Sequence, residues 1–183
     1  MGAPRIVAFV GGTDGSWHVE RIHRITGEAL PIVGRLAVVE GAGQVPAGAV
    51  WVLRGVTRNE RYATAEEHRA LAERQESLGR PEATKAALIP IRKTEAWWDL
   101  SQDERRAIFE ERSGHIGIGL EHLPAVARRL HHSRDLGEPF DFLTWFEYAP
   151  EHTDSFEQLV DRLRQTEEWH YVEREVDVRL TRE

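Results

Sequence analysis

The stretch RSGHIGIGLEHLPAVARRLHHSRDLG, residues 112–137, holds four histidines and four arginines in a chain with no cysteine. An imidazole can ligate a metal or move protons near neutral pH. A guanidinium stays charged and presents a fork of N–H donors to an anion without itself transferring protons. Thiolate and disulfide chemistry are excluded outright. Much of the stretch also has a plainer explanation, an Arg-rich helix with a solvated charged face. A histidine following a helix is most often a surface or capping residue, and His122, His131 and His132 read as solvated or interface positions. Arg128 and Arg129 point about 100° apart around a helix, so one of them can face inward. The residues by themselves do not say which.

Composition bounds what these groups can serve. The 183 residues are 40% hydrophobic and 30% charged, enough for one domain of ordinary size. A formal net charge of −7 argues against nucleic acid as a partner, because duplex binding rests on Lys and Arg contacts to phosphates. An anionic substrate must then be drawn in by a local positive group. No stretch approaches a membrane span. The apolar run in MGAPRIVAFVGGTDG lacks the length and the cleavage site of a signal peptide, so a soluble, cytoplasmic chain is expected. The single methionine is Met1. A chain without internal sulfur suits contact with strong oxidants, although a lineage bias towards Arg and Ala would give the same composition.

The elements that must position these side chains alternate. RIVAFV (5–10) reads as a buried strand, GGTDG as a turn, and SWHVERIHRI (16–25) as the returning strand. RLAVVE (35–40) and AVWVLRGV (49–56) read as two more. Thr64 and Glu67 form a capping box that opens a helix to about Ser77. TKAALIPI (84–91) reads as a strand whose Pro90 suits an end or an edge. Ser101 and Glu104 form a second box, and that helix should run to about Ser113, where Gly114 can end it. HIGIGLEHL is ambiguous, and Pro124 can sit in the first turn of a helix PAVARRLHHS. PFDFLTWFEY (139–148) is the clearest strand, with Phe140, Phe142, Thr144, Phe146 and Tyr148 on one face and Asp141, Leu143, Trp145 and Glu147 on the other. Asp154 and Glu157 open a third helix, with Phe156, Leu159, Val160 and Leu163 along its apolar side. HYVEREVDVRL closes the chain as a strand. Strand–helix–strand blocks with antiparallel pairing fit an α+β fold of the ferredoxin-like kind, with a strand-rich N-terminal part.

The order IPIRKTEAWWDLSQDERRAIFEERSGH, LPAVARRLHHSRDLGEPFDFLTWFEY, TEEWHYVERE resembles the chlorite dismutase family of haem b enzymes. The resemblance covers about residues 55–180. It is carried by Lys93-x-x-x-Trp97-Trp98, by His115 with Arg128 thirteen residues on, and by DFLTWFE. The short N-terminal part resembles the small, dimeric branch. What this implies is a dimeric α+β barrel of two ferredoxin-like halves in a single domain over residues 1–183. Residues 1–80 would be the reduced half, and 81–183 the half that holds haem. The resemblance makes His115 the proximal iron ligand, Glu168 the acceptor for its other nitrogen, and Lys93 the partner of Glu168; Glu167 is the adjacent alternative. It makes Arg128 the one charged residue of an apolar distal pocket lined by Leu130, Thr144 and Phe146, with Gln75 facing it. Trp97 would pack near the haem and Tyr62 would reach a propionate.

Those residue types suit the implied reaction, chlorite to chloride and dioxygen through a ferryl intermediate. Haem iron needs one strong protein ligand and one open face. A carboxylate on the second ring nitrogen fixes the ligand and raises its basicity, and Lys93 would balance that buried charge. A guanidinium holds an oxyanion, and an apolar surround strengthens the attraction and limits escape of a hypochlorite fragment. The rival readings are a coproheme decarboxylase, with Tyr148 as radical donor, a peroxidase-like haem protein, and a non-catalytic haem-binding dimer.

Overall fold

In a computed structural model, residues 5–41, 43–57 and 62–183 are described. Eight strands and five α-helices follow in the order β1 (Ile6–Gly12), β2 (Trp17–Thr26), β3 (Arg35–Glu40), β4 (Ala49–Thr57), α1 (Ala65–Arg74), β5 (Lys85–Lys93), α2 (Glu95–Asp99), α3 (Gln102–Arg106), α4 (His115–Glu121), β6 (Val126–His132), β7 (Phe142–Tyr148), α5 (Thr153–Arg164) and β8 (Val172–Thr181). A π-helical turn, Ala107–Arg112, continues α3, and a 3-10 turn, Glu167–Tyr171, precedes β8.

The strands close into a barrel in the order β1-β3-β2-β8-β5-β7-β6-β4, with every neighbouring pair antiparallel. Closure removes free sheet edges. It also gives each strand an inner and an outer face, read by the two-residue alternation. On β7, Leu143 and Trp145 join Phe9, Trp17, Leu36 and Val178 in the core inside the barrel. Phe146 and Tyr148, on the outer face, pack with Ala87 and Ile89 of β5 beneath Phe156, Leu159, Val160 and Leu163 of α5. Each of the Phe, Leu, Ile and Val side chains here, fully buried, contributes roughly 1.5–3 kcal/mol. A cavity lies between this outer sheet face and the helices. Among the described residues no helix is long and apolar enough to cross a membrane.

Both capping boxes are present: Thr64 with Glu67 at α1, and Ser101 with Glu104 at α3. α5 buries the four residues its spacing indicated. Four expectations are corrected. The segment expected to be a helix after Pro124 is strand β6, because Val126–His132 pairs along its length with β7 and at its end with β4. Pairing here outweighs the helix preference of Ala, Arg and Leu. β2 does not return alongside β1; β1 lies between β3 and β4 instead. Pro90 sits inside an interior strand, where the ladder to β8 skips Ile89 and Pro90 while the ladder to β7 continues. The last strand begins at Val172, and His170 belongs to the 3-10 turn before it.

Candidate active site

His115 is the first residue of α4. Gly114, in the left-handed region with φ of 64°, makes the turn that starts this helix. The Nδ1 of His115 lies 2.6 Å from Oε2 of Glu168, and Nζ of Lys93 donates to Oε1 of the same carboxylate at 2.7 Å. Glu168 and Lys93 are 4% and 3% exposed. Burial alone pushes the Glu168 carboxyl up; the Lys93 ammonium and His115 outweigh it and hold the group at about 2. The acid is therefore an acceptor at neutral pH, so the Nδ1 that faces it is the donor, and Nε2 is the ring nitrogen left outside this hydrogen bond. The neighbouring Glu167 pairs instead with Arg112 at 3.1 Å, with both side chains partly in solvent. Phe109 stacks on the imidazole at 4.3 Å and 22°, and the Lys93 ammonium lies 4.5 Å from the Trp97 ring.

One cavity brings together nine of the ten residues singled out in the sequence: Tyr62, Lys93, Trp97, His115, Arg128, Leu130, Thr144, Phe146 and Glu168. The sheet supplies Arg128 and Leu130 from β6 and Thr144 and Phe146 from β7, each pair in register, Arg128 opposite Phe146 and Leu130 opposite Thr144. Strand alternation, not helix rotation, separates the two arginines. Arg128 is buried and faces the cavity; Arg129 faces the barrel mouth, 3.7 Å from Glu40. Gln75, the tenth residue, does not line the cavity. Its amide donates to the backbone carbonyl of Arg128 at 2.6 Å.

Several cavity residues had no signal in the sequence reading. His132 shares the cavity-facing side of β6 with Arg128 and Leu130, a position that alternation would have marked had the segment been read as a strand. His122, His131 and His132, expected to be solvated or interface residues, are 8%, 2% and 5% exposed within the chain itself, because β6 and the junction of α4 with α5 are buried. Arg164 and Glu175 also line the cavity, joined at 2.7 Å, and Glu175 accepts from the Trp169 indole at 2.8 Å. Tyr148 is not among the lining residues; it stacks on Phe156 at 4.6 Å, away from the cavity.

The donor set bears on what the cavity can hold. Among the described residues no three His, Cys, Asp or Glu side chains converge as a metal site. A metal on Nε2 of His115 must then bring most of its ligands with it, as a porphyrin does. The hydroxyl of Tyr62 and the indole nitrogen of Trp97 are buried with no hydrogen-bond partner among the described residues. Both belong to cavity-lining residues, and both can donate to an anionic group such as a propionate. A flat apolar macrocycle with carboxylate arms fits this lining.

Residues 43–183 match the family model described as chlorite dismutase. The chain is similar to a dimeric chlorite dismutase from Nitrobacter winogradskyi, with 55% identity over 96% of this chain and 99% of that one and a TM-score of 0.89. A mutant chlorite dismutase from Candidatus Nitrospira defluvii is 20% identical over 98% of this chain and 91% of that one, TM-score 0.71. The chlorite dismutase of the same organism in complex with imidazole gives 20%, 97%, 91% and 0.69. The last two likenesses concern the fold alone.

Proposed function

The chain belongs to the chlorite dismutase family, and from that premise we propose that it is a haem b enzyme converting chlorite to chloride and dioxygen. The observation that carries the reading is the shared cavity: a carboxylate-backed imidazole on its helical wall and a buried arginine on its sheet wall. A bound haem supplies the redox chemistry of the reaction through its iron.

The protein's own residues do the rest. His115 offers Nε2 to the iron. Glu168 takes the hydrogen bond from Nδ1, which fixes the ring and makes the ligand more basic. Lys93 keeps that buried carboxylate charged. Tyr62 and Trp97 present donors for the propionates. Arg128 holds the chlorine oxyanion, and its permanent charge works more strongly among Leu130, Thr144 and Phe146 than it would in water. Gln75 fixes the backbone from which Arg128 projects. A guanidinium in this place holds an anion, where a histidine would favour acid–base peroxidase chemistry. The position of Tyr148 outside the lining disfavours the decarboxylase reading that would need it as a radical donor.

The runs β4-β1-β3-β2 and β8-β5-β7-β6 have the same relative strand order, which supports reading them as two ferredoxin-like halves. Helices connect the strands of the second run only, among the described residues, which supports the reduced first half and the haem-holding second. The Nitrobacter winogradskyi protein is described as dimeric, and we extend the homodimer to this chain.

The test is oxygen release from haem-loaded protein after adding chlorite, with Arg128→Ala beside it. Oxygen evolution that slows in the variant, with more hypochlorite trapped by a scavenger, is the expected result. Haem-loaded protein that evolves no oxygen overturns the reaction; equal rates and equal hypochlorite in the variant overturn the role of Arg128.

A further inference from the structure

α4 is a weak helix in a critical place. It has seven residues, two of them Gly117 and Gly119, and its N-cap Gly114 carries no side chain to satisfy the first N–H groups. A helix this short does not hold its own conformation in water. Its opening N–H groups are taken by Glu110 from the preceding π-helical turn: Oε2 accepts from the Ile116 N–H at 2.6 Å and Oε1 from the Gly117 N–H at 3.2 Å. The residue before Glu110 is Phe109, whose ring lies flat on His115. Phe109 and Glu110, consecutive in the π-helical turn, thus both reach the start of α4. Three residues on, the buried Ser113 accepts from the backbone N–H of Glu168 at 3.0 Å.

We propose that the segment from Phe109 to Ser113 is a positioning template that sets His115 and Glu168 relative to each other. Phe109 fixes the plane of the imidazole, Glu110 fixes the helix end that carries it, and Ser113 fixes the backbone of its carboxylate partner. Both ends of one 2.6 Å hydrogen bond are thus anchored on five consecutive residues. A ligand pair of this kind works only when held within about 0.5 Å of its productive geometry. The inference rests on the reading of His115 as iron ligand.

A cap that served stability alone would change melting temperature and leave the iron–ligand bond as it was. The readout is therefore the iron–histidine stretching band of ferrous, haem-loaded protein in Glu110→Ala, Glu110→Gln and Ser113→Ala, together with haem transfer to an acceptor apoglobin. The band should shift and broaden, more in Glu110→Ala than in Glu110→Gln, which keeps one acceptor oxygen. Haem should leave Glu110→Ala roughly tenfold faster or more, the scale on which outer-shell partners affect metal sites. An unchanged band and transfer rate in Glu110→Ala overturn the proposal, even if the protein melts earlier. Should Glu110→Ala fail to fold, an unchanged band in both Glu110→Gln and Ser113→Ala overturns it. A His115→Ala control keeps the two readings apart: a histidine band that survives there removes His115 as the ligand, whatever the Glu110 variants do.

Discussion

Glu168 stands between two partners, its Oε2 2.6 Å from Nδ1 of His115 and its Oε1 2.7 Å from Nζ of Lys93. Glu168→Gln keeps a neutral acceptor but removes the anion, so His115, as the proposed ligand, would be a poorer donor to iron. Haem binding should weaken by about 10- to 100-fold. The same change leaves the 3%-exposed Lys93 without its counter-ion, which should cost about 3–5 kcal/mol in urea unfolding of the haem-free protein. Adding Lys93→Met should restore most of that stability and none of the haem affinity. Wild-type haem affinity in Glu168→Gln would remove the carboxylate from the account.

His131 should make the barrel acid-sensitive. Burial holds its pKa down at about 4, while the hydrogen bond to the Leu143 carbonyl opposes the shift. The native state therefore refuses a proton that the unfolded chain takes up. The resulting stability is fully present above about pH 6.5 and is lost as pH falls through about 4, up to roughly 3 kcal/mol in all. His131→Gln keeps a donor for Leu143 and cannot titrate. Its urea midpoint should vary less between pH 6.5 and 4 than that of the wild type; parallel curves would assign the acid sensitivity elsewhere.

Arg164 lies between two buried acids, 2.7 Å from Glu175 and 2.8 Å from Asp177. Asp177 keeps a second partner in Arg179; Glu175 keeps only the Trp169 indole among the described residues. Arg164→Met should thus destabilise by about 3–5 kcal/mol, chiefly through the stranded charge on Glu175. Glu175→Gln in the same chain should recover much of it. If the double variant is no more stable than the single one, packing and not charge sets the loss.

The alternation in PFDFLTWFEY and the i, i+3, i+4, i+7 pattern through Phe156 and Leu163 were legible because each element buries one face and exposes or lines the other. β6 was not. Pro124 followed by Ala, Arg and Leu carries a helix signal, and the β7 residue that pairs with Arg128 and overrides it, Phe146, lies 18 residues away in sequence. That misreading also sent His131 and His132 to the surface. β1 and β2 misled for a related reason: GGTDG has hairpin residues, but partner choice is made by β3 and β4. The cavity residues His115 and Arg128 were legible only through the family pattern, since imidazole and guanidinium types alone did not separate 128 from 129. Glu175 and Arg164 gave no signal, because an acid alternating with valines along a strand reads as solvent-facing until a helix is known to cover it.

Tyr62 allows haem-free and haem-loaded protein to be set against each other. Its ring packs edge-on to Trp97 at 6.0 Å and against Phe109 at 5.4 Å, while its hydroxyl is buried without a hydrogen-bond partner among the described residues. Tyr62→Phe keeps the ring contacts and removes a polar group that, in haem-free protein, loses its bonds to water and gains none. Leaving such a group unmade costs about 1–3 kcal/mol, so the haem-free variant should be as stable as the wild type or more so. If the hydroxyl donates to a propionate, the loaded protein should move the other way. A hydrogen bond to a charged group contributes about 1.5–3 kcal/mol, which corresponds to haem affinity falling by about tenfold or more. Urea unfolding of the haem-free protein and haem transfer from the loaded one measure the two separately. Opposite signs place the hydroxyl on the haem; equal losses in both would make it a structural group of the cavity wall.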